Sequence, residues 1–169
     1  DQTVENKVHI ENAKNITVES MNEVRRIAHS LRPNILDDLG FTLALKSYID
    51  DFKKTHQMDV ELNVIGKKER LDSVIEIELY RICQEALTNI AKHAKASLVK
   101  ISIMNNEKET SITIQDNGVG FNLNCSVNKS GGNGIGLLSM KERAEGIGGT
   151  FKIRSGKEGT KITVQVPKN

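Results

Sequence analysis

The sequence contains no tryptophan, only two prolines and two cysteines, and only 4% of its residues are aromatic. With so few aromatic side chains and no basic block among them, the chain lacks a surface on which bases could stack. Direct binding of nucleic acid is therefore not expected. Cys83 and Cys125 lack CxxC spacing. Their settings, on an apolar helix face and in a polar loop, suggest a reducing compartment.

The sequence also lacks any apolar run of the roughly 18 to 20 residues that a membrane helix needs, and its first residues lack signal-peptide character. We therefore predict a cytoplasmic chain. Any attachment to a membrane would come from segments that precede Asp1. The 169 residues and the net charge of +2 allow one globular core with an appended arm. Because the chain opens inside a helical pattern, we expect it to belong to a longer protein.

The period of the apolar residues predicts an α+β fold in which a mixed sheet of about five strands carries helices on one face. Strands are predicted over 60–65, 98–104, 111–115, 150–154 and 161–166. Helices are predicted over 4–31, 41–56, 74–94 and 135–145. Pro33 is predicted to end the first, long helix, which leaves 34–40 as a junction. Asp72 or Ser73 is predicted to cap the third helix, and the polar stretch 122–133 is predicted to be mobile.

Three polar segments in a fixed order, at 85–93, 116–120 and 132–137, are the most informative feature of the chain. At 100° per residue, the polar side chains of the first segment share one sector of a helix: Glu85, Asn89, Lys92 and His93. The opposite sector is predicted to face the sheet, and it holds Leu79, Leu87 and Ile90. The polar stripe then faces a cleft. A solvated helix surface is the alternative interpretation.

The polar stripe suits a magnesium ion that is bound together with a nucleotide. Magnesium prefers oxygen ligands and is usually shared between one or two protein oxygens and phosphate groups. The amide oxygen of Asn89 suits that role, and Lys92 offers a positive charge to phosphate. Glu85 could hold a metal-bound water or polarise a reacting group. The candidate metal residues are thus Asn89 and Glu85, and the candidate catalytic residues are Glu85 and Lys92.

The second segment suits an adenine base. The carboxylate of Asp116 can accept a hydrogen bond from the exocyclic amine of adenine, where guanine carries a carbonyl. Gly118 and Gly120 let the backbone approach the base because they have no Cβ. A plain hairpin turn is the alternative for this segment. Further along the chain, the hydroxyl of Thr160 either completes the adenine pocket or belongs to an ordinary turn.

The third segment places Gly132, Gly134 and Gly136 before a helix, where free backbone amides and the helix dipole favour phosphate. Similar glycine spacing occurs in dinucleotide-binding folds, but those folds need a strand directly before the glycines. Here a long polar loop precedes them. That arrangement better fits a lid that closes over a triphosphate.

In this order, the three segments resemble the N box and the two glycine boxes of the ATP-binding domain of sensor histidine kinases, in the superfamily that includes DNA gyrase and MutL. The resemblance covers about 60–167. It implies that the predicted sheet and helices form an α/β sandwich. It also implies ATP and Mg²⁺ as cofactors, with Asn89 on magnesium and Asp116 on adenine. The boxes would surround the base and the phosphates, and they also include His93, Ile135 and Leu137.

Residues 23–33, followed by 36–40 and 44–45, are similar to the second dimerisation helix of the nitrate-sensor-like subfamily of these kinases. The similarity implies a dimerisation segment over 1–39 and an ATP-binding domain over 40–169. It also implies that the longer protein is a homodimer. The implied partner is a response regulator with a LuxR-type DNA-binding domain, whose aspartate receives the phosphoryl group from a histidine.

The phosphoacceptor histidine of that subfamily lies in a pattern like His-Asp-x-Leu-Gly, which this sequence lacks. The segment 36–40 resembles it, but Leu36 cannot accept a phosphoryl group. The acceptor is therefore expected before Asp1, with His29 as the alternative inside the chain. Two other functions stay open. One is a serine kinase of the anti-sigma type, although the helix that ends at 31–33 argues against it. The other is a scaffold that senses nucleotide without catalysis.

Overall fold

The structure is a computed structural model that describes Thr17 and residues 34–67, 69–122 and 133–168. The predicted helix over 4–31, apart from Thr17, lies outside the described residues, as do His29 and Gly132. So does most of the stretch that was predicted to be mobile. All five predicted strands and the other three predicted helices fall inside the described ranges.

A mixed sheet forms the centre of the structural unit Ile35–Asn169. In the described part of the chain it has five strands, in the spatial order β1-β2-β3-β5-β4. Their bounds are β1 Asp59–Gly66, β2 Leu98–Asn105, β3 Glu109–Asp116, β4 Thr150–Gly156 and β5 Gly159–Pro167. β1 lies parallel to β2, and all other neighbours are antiparallel. The predicted fold class is confirmed, and each predicted strand lies within an observed one.

The helices of the described residues are α1 Asn34–Leu39, α2 Phe41–His56, α3 Ser73–Asn89 and α4 Asn133–Gly146. α3 continues directly into one π-helical turn, Ile90–Ala94. Asp72 caps α3, as predicted, because its side chain accepts a hydrogen bond of 2.8 Å from Val74 N. Among the described residues, no helix is both long enough and apolar enough to cross a bilayer.

The predicted junction at 34–40 is wrong, because most of it is the short helix α1. Leu36 anchors this helix in the core and is 2% exposed. Gly40, at a φ of 79°, ends it by donating its N–H to Leu36 O at 3.0 Å, and its own carbonyl accepts from Ala44 N at 3.1 Å. Glycine takes this positive φ without strain.

The core lies between the helices and one face of the sheet. Buried residues alternate along β2 and β3, so that one face of each strand is apolar. α3 contributes the largest share of helical core residues: Leu79, Tyr80, Ile82, Cys83, Ala86 and Leu87. Burial raises the pKa of the Cys83 thiol to about 12, so this cysteine is a packing residue rather than a nucleophile.

Arg70 and Glu76 join the start of α3 to the end of α1. The carboxylate of Glu76, a residue that is 3% exposed, accepts from Arg70 Nε at 3.1 Å and from Leu71 N at 3.2 Å. Arg70 Nη2 also donates to the carbonyl oxygens of Leu36 and Asp37. The pair therefore fixes α1 against the helix that carries the polar stripe.

Replacing Glu76 by alanine is expected to lower the free energy of unfolding by about 2 kcal/mol, because Arg70 and the Leu71 amide lose a buried acceptor. The loss is moderated because the Arg70 side chain is half exposed and water can solvate it. Urea denaturation followed by circular dichroism measures the change. Glu142→Ala, at an exposed position of α4, is the matched control. A loss no larger than that of the control would contradict the assigned role.

Candidate functional site

A cavity of about 320 Å³ lies between α3 with its π-helical turn, the ends of β3 and β5, and α4. Most of its wall is apolar and includes Ala86, Ile90, Ile114, Phe121, Met140 and Ile162. Four polar side chains interrupt that wall, namely Asn89, His93, Asp116 and Thr160. An apolar cavity with a few convergent polar groups is the usual form of a small-molecule site.

Asp116 supplies the buried charge of the cavity. It is the last residue of β3 and is 3% exposed. Its Oδ1 accepts a hydrogen bond of 2.8 Å from Gly118 N. That bond fixes the carboxylate and leaves Oδ2 as an acceptor for a ligand. A buried carboxylate with a free acceptor oxygen is expected to select a ligand that donates a hydrogen bond.

The glycines after Asp116 are required by close backbone approaches. A Cβ at Gly118 would collide with the carbonyl oxygen of Ala94, the same oxygen that accepts from Val119 N at 2.8 Å. Gly120 has a φ of 59°, and a Cβ there would collide with the carbonyl oxygen of Gly156. The segment is thus wedged between the π-helical turn and the β4–β5 hairpin. The alternative of a plain hairpin turn is wrong, because β3 pairs with β2 and β5 and not with β4, the next strand along the chain.

Asn117, which lies inside the second segment, has a structural role. Its Oδ1 accepts from Ser97 N and Leu98 N, each at 3.0 Å, and its Nδ2 donates to Ser97 Oγ at 2.9 Å. These bonds fasten the segment to the start of β2. The side chain is therefore occupied by the protein itself, and the neighbouring carboxylate is the group that serves the cavity.

Glu85 and Asn89 form a hydrogen-bonded pair on α3. Asn89 Nδ2 donates to Glu85 Oε1 at 3.1 Å, which leaves the Asn89 amide oxygen to bind a cation. Gly136, in the first turns of α4, lies directly over this pair. A Cβ at Gly136 would collide with Glu85 Oε1 and would lie 3.2 Å from Asn89 Nδ2. The structure therefore brings the first and third predicted segments into contact.

The π-helical turn changes which residues face the cavity. His93 lines the cavity, as predicted, whereas Lys92 is exposed and is not part of the wall. Ile90 was expected on the opposite side of the helix, yet it also forms part of the wall. A π-helical turn adds a residue to the turn, so positions within it no longer follow the 100° spacing. Ile90 lies in the core with Leu79 and Leu87, as predicted, whereas the structure does not bring Lys92 to the cavity wall.

The remaining predicted residues fall at different places. Leu137 lines the cavity, and Gly134 lies in the first turn of α4. Ile135 is 73% exposed and lies outside the cavity wall. Thr160 lines the cavity, and its Oγ1 lies 2.9 Å from Ser155 Oγ. Phe121 was not predicted, although an aromatic residue directly after a glycine segment is a signal that could have indicated it.

A magnesium site in this region would be incomplete without a nucleotide. Among the described residues, no group of three His, Cys, Asp or Glu side chains is placed to hold a metal ion. Asn89 and Glu85 offer oxygen atoms on one face of α3. This donor set fits magnesium, which keeps several waters and takes further oxygens from phosphate groups. It does not fit a metal held by the protein alone.

Comparison with known proteins agrees with this geometry. Residues 74–169 match the model of the histidine kinase-, DNA gyrase B- and HSP90-like ATPase family. Because the match covers more than half of the chain, the chain belongs to this family. Its ATPase domain implies that the chain binds ATP.

The relatives are sensor histidine kinases, and the predicted resemblance is confirmed. The oxygen sensor histidine kinase NreB of Staphylococcus carnosus is 36% identical over 168 residues, which is 99% of this chain and 47% of that protein. The histidine-protein kinase/phosphatase DegS of Brevibacillus brevis is 39% identical over 159 residues, which is 94% of this chain and 40% of that protein. The chain thus spans less than half the length of these relatives.

Solved structures show the same fold. The histidine kinase domain of the blue-light-activated histidine kinase of Erythrobacter litoralis has a TM-score of 0.62 and 18% identity, over 74% of this chain and 63% of that chain. The mycobacterial sensor histidine kinase MprB has a TM-score of 0.59 and 20% identity, over 75% of this chain and 93% of that chain. The α+β arrangement is therefore that of histidine kinase catalytic domains.

Proposed function

We propose that this chain binds ATP together with Mg²⁺ and supplies the γ-phosphoryl group to a histidine of a longer sensor kinase. The observation that carries the proposal is the buried carboxylate of Asp116 at the wall of an apolar cavity. Such a group needs a hydrogen-bond donor when the cavity is filled. The exocyclic amine of adenine is a donor at that position, and guanine carries a carbonyl there.

The apolar wall of the cavity would enclose the adenine ring. Asp116 Oδ2 would accept from the amine, while Gly118 and Gly120 let the segment pack against the Ala94 and Gly156 carbonyls beside the base. Thr160 and His93 add polar atoms at the wall. This part of the site gives selectivity for the base, because a buried acceptor rejects a ligand that presents another acceptor.

The phosphates would extend towards the contact between α3 and the start of α4. Asn89 and Glu85 would hold Mg²⁺, which neutralises charge on the phosphate oxygens. The backbone at Gly134 and Gly136, in the first turn of α4, would approach the phosphates, together with Gly132 just before them in the sequence. Lys92 would add a positive charge from the exposed side of the π-helical turn. The protein thereby positions the γ-phosphate and lowers its charge, which is most of what phosphoryl transfer requires.

We further propose that the longer protein is a cytoplasmic or membrane-attached homodimer. Of the segment 1–39, the part before α1 would supply the second dimerisation helix, whereas α1 would belong with the catalytic domain 40–169, because Leu36 lies in its core. The relatives are named sensor histidine kinase or histidine-protein kinase, and this chain spans less than half the length of each, which supports its place in a longer kinase. The acceptor histidine would precede Asp1. The partner would be a response regulator with a LuxR-type DNA-binding domain, which receives the phosphoryl group on an aspartate.

Radiolabelled ATP tests the proposed transfer. The protein extended through its own preceding segment is expected to acquire an acid-labile label, as phosphohistidine does, while the present chain binds ATP and stays unlabelled. A label on the present chain at His29 would move the acceptor into it. An acid-stable label would indicate a serine kinase. Normal ATP binding without labelling of either protein would indicate a nucleotide-sensing scaffold.

Gly136→Ala is expected to weaken binding of ATP with Mg²⁺ about tenfold, because the added methyl group displaces Glu85 Oε1 and disturbs its bond to Asn89. Isothermal titration calorimetry measures the change. Gly146→Ala is the matched control, since it lies in the same helix and a Cβ there meets no atom within 4 Å. Equal affinities of the two variants would show that the contact over Glu85 has no role in binding.

A further inference from the structure

Ser155 is a half-buried residue of β4 that belongs to none of the three predicted segments. Its Oγ accepts a hydrogen bond of 2.8 Å from Phe121 N. The same Oγ lies 2.9 Å from Thr160 Oγ1. Phe121 and Thr160 both line the cavity, whereas Ser155 does not. One hydroxyl therefore joins two parts of the cavity wall, Phe121 and Thr160, that lie 39 residues apart in the sequence.

The surrounding backbone leaves little space for other arrangements. Ser155 pairs with Thr160, and Gly156 pairs with Gly159, in the antiparallel β4–β5 ladder. A Cβ at Gly159 would collide with the carbonyl oxygen of Asp116, and a Cβ at Gly120 would collide with that of Gly156. The hairpin end and the glycine segment are thus packed backbone against backbone. Ser155 adds a side-chain hydrogen bond to this contact.

We propose that Ser155 is a positioning residue for the adenine end of the site, acting through Phe121 and Thr160. This inference rests on the proposed ATP binding. Ser155 holds the Phe121 amide, and with it the end of the glycine segment, at the cavity rim. It also orients the hydroxyl of Thr160, because one of the two hydroxyls donates a hydrogen bond to the other.

The proton count explains how Ser155 directs Thr160. A serine hydroxyl has one proton and two lone pairs, and Phe121 N–H takes one lone pair. When the Ser155 proton is donated to Thr160 Oγ1, the Thr160 proton is left to point into the cavity. The ring nitrogens of adenine are acceptors, so a hydroxyl that presents its proton suits them. In the reverse arrangement, Ser155 Oγ would accept from both Phe121 N and Thr160 Oγ1, and Thr160 would present lone pairs instead of a proton to the cavity.

Calorimetry of single and double variants tests this role. Ser155→Ala is expected to weaken ATP binding about tenfold, and Ser155→Thr, which keeps the hydroxyl, to bind within about twofold of the unchanged chain. The Ser155→Ala change is expected to cost less when Thr160 is already valine, because the two residues act together. Ser102→Ala, a serine of β2 outside the cavity wall, is the matched control and is expected to leave affinity unchanged.

Amide hydrogen exchange in the nucleotide-free chain gives a second readout that does not depend on ATP. Exchange at the Phe121 amide is expected to accelerate in Ser155→Ala and not in Ser155→Thr. If the unchanged chain does not bind ATP, the proposed function fails and this inference fails with it. If the unchanged chain binds ATP and Ser155→Ala binds equally well, the inference alone is overturned. Additive effects of the Ser155 and Thr160 changes would also overturn it.

Discussion

Asp116→Asn is expected to weaken ATP binding about 100-fold, or about 2.7 kcal/mol, without changing the fold. Asparagine has nearly the same shape, and its Oδ1 can keep the 2.8 Å bond to Gly118 N. The atom that changes is the second oxygen, which becomes an amide nitrogen. That nitrogen is a donor and would meet the exocyclic amine of adenine, also a donor. The buried contact between residue 116 and the adenine amine would then lose its hydrogen bond and the negative charge of the carboxylate.

The same substitution is expected to reduce the preference for ATP over GTP, because an amide donor no longer rejects the guanine carbonyl. Titration of both nucleotides separates this change from a general loss of binding. Asp50→Asn, at an exposed position of α2, is the matched control. Equal ATP affinity in the Asp116 and Asp50 variants, with both chains folded, would remove Asp116 from the site.

Asn89→Ala is expected to abolish the dependence of ATP binding on magnesium. The amide oxygen of Asn89 is the proposed metal ligand, and its nitrogen holds Glu85 Oε1 at 3.1 Å. Without this side chain, affinity with Mg²⁺ should fall to the value measured in EDTA. Phosphoryl transfer in the longer protein should slow on the order of 100-fold, because charge on the phosphates is no longer neutralised in place.

Two variants make the Asn89 result specific. Asn63→Ala, on the exposed part of β1, controls for the loss of an amide and should behave like the unchanged chain. Glu85→Gln keeps an oxygen that can accept from Asn89 Nδ2 but removes the negative charge. The Glu85→Gln variant is expected to bind ATP, but phosphoryl transfer by the longer protein is expected to be slower when it carries this change. Magnesium-dependent binding that persists in Asn89→Ala would place the metal elsewhere.

Local patterns in the sequence predicted most of the fold and much of the cavity wall. α2 and the five strands follow from short-range periodicity, and Asp72 capped α3 as expected. Asn89, Asp116 and Thr160 could be predicted because residue type and spacing are visible in the sequence. The structure brings all three to one cavity.

The features that sequence reasoning missed depend on contacts between distant segments or on backbone irregularity. The π-helical turn Ile90–Ala94 changes the direction of Lys92 relative to the 100° spacing, and no local signal in the sequence marks this turn. The short helix α1 depends on the burial of Leu36, which the sequence alone does not show. Ser155 contacts Phe121 across 34 residues, so its role becomes visible only when the β4–β5 hairpin meets the glycine segment.

The central claim is that the Asp116 cavity binds ATP together with Mg²⁺. Calorimetric titration of the unchanged chain with ATP, in Mg²⁺ or in EDTA, tests it most directly, with GTP as the control nucleotide. We expect one site, selective for ATP and strengthened by magnesium. Binding of ATP and GTP with equal affinity, or no binding by a chain that circular dichroism shows to be folded, would contradict the assignment of the Asp116 cavity as the ATP site.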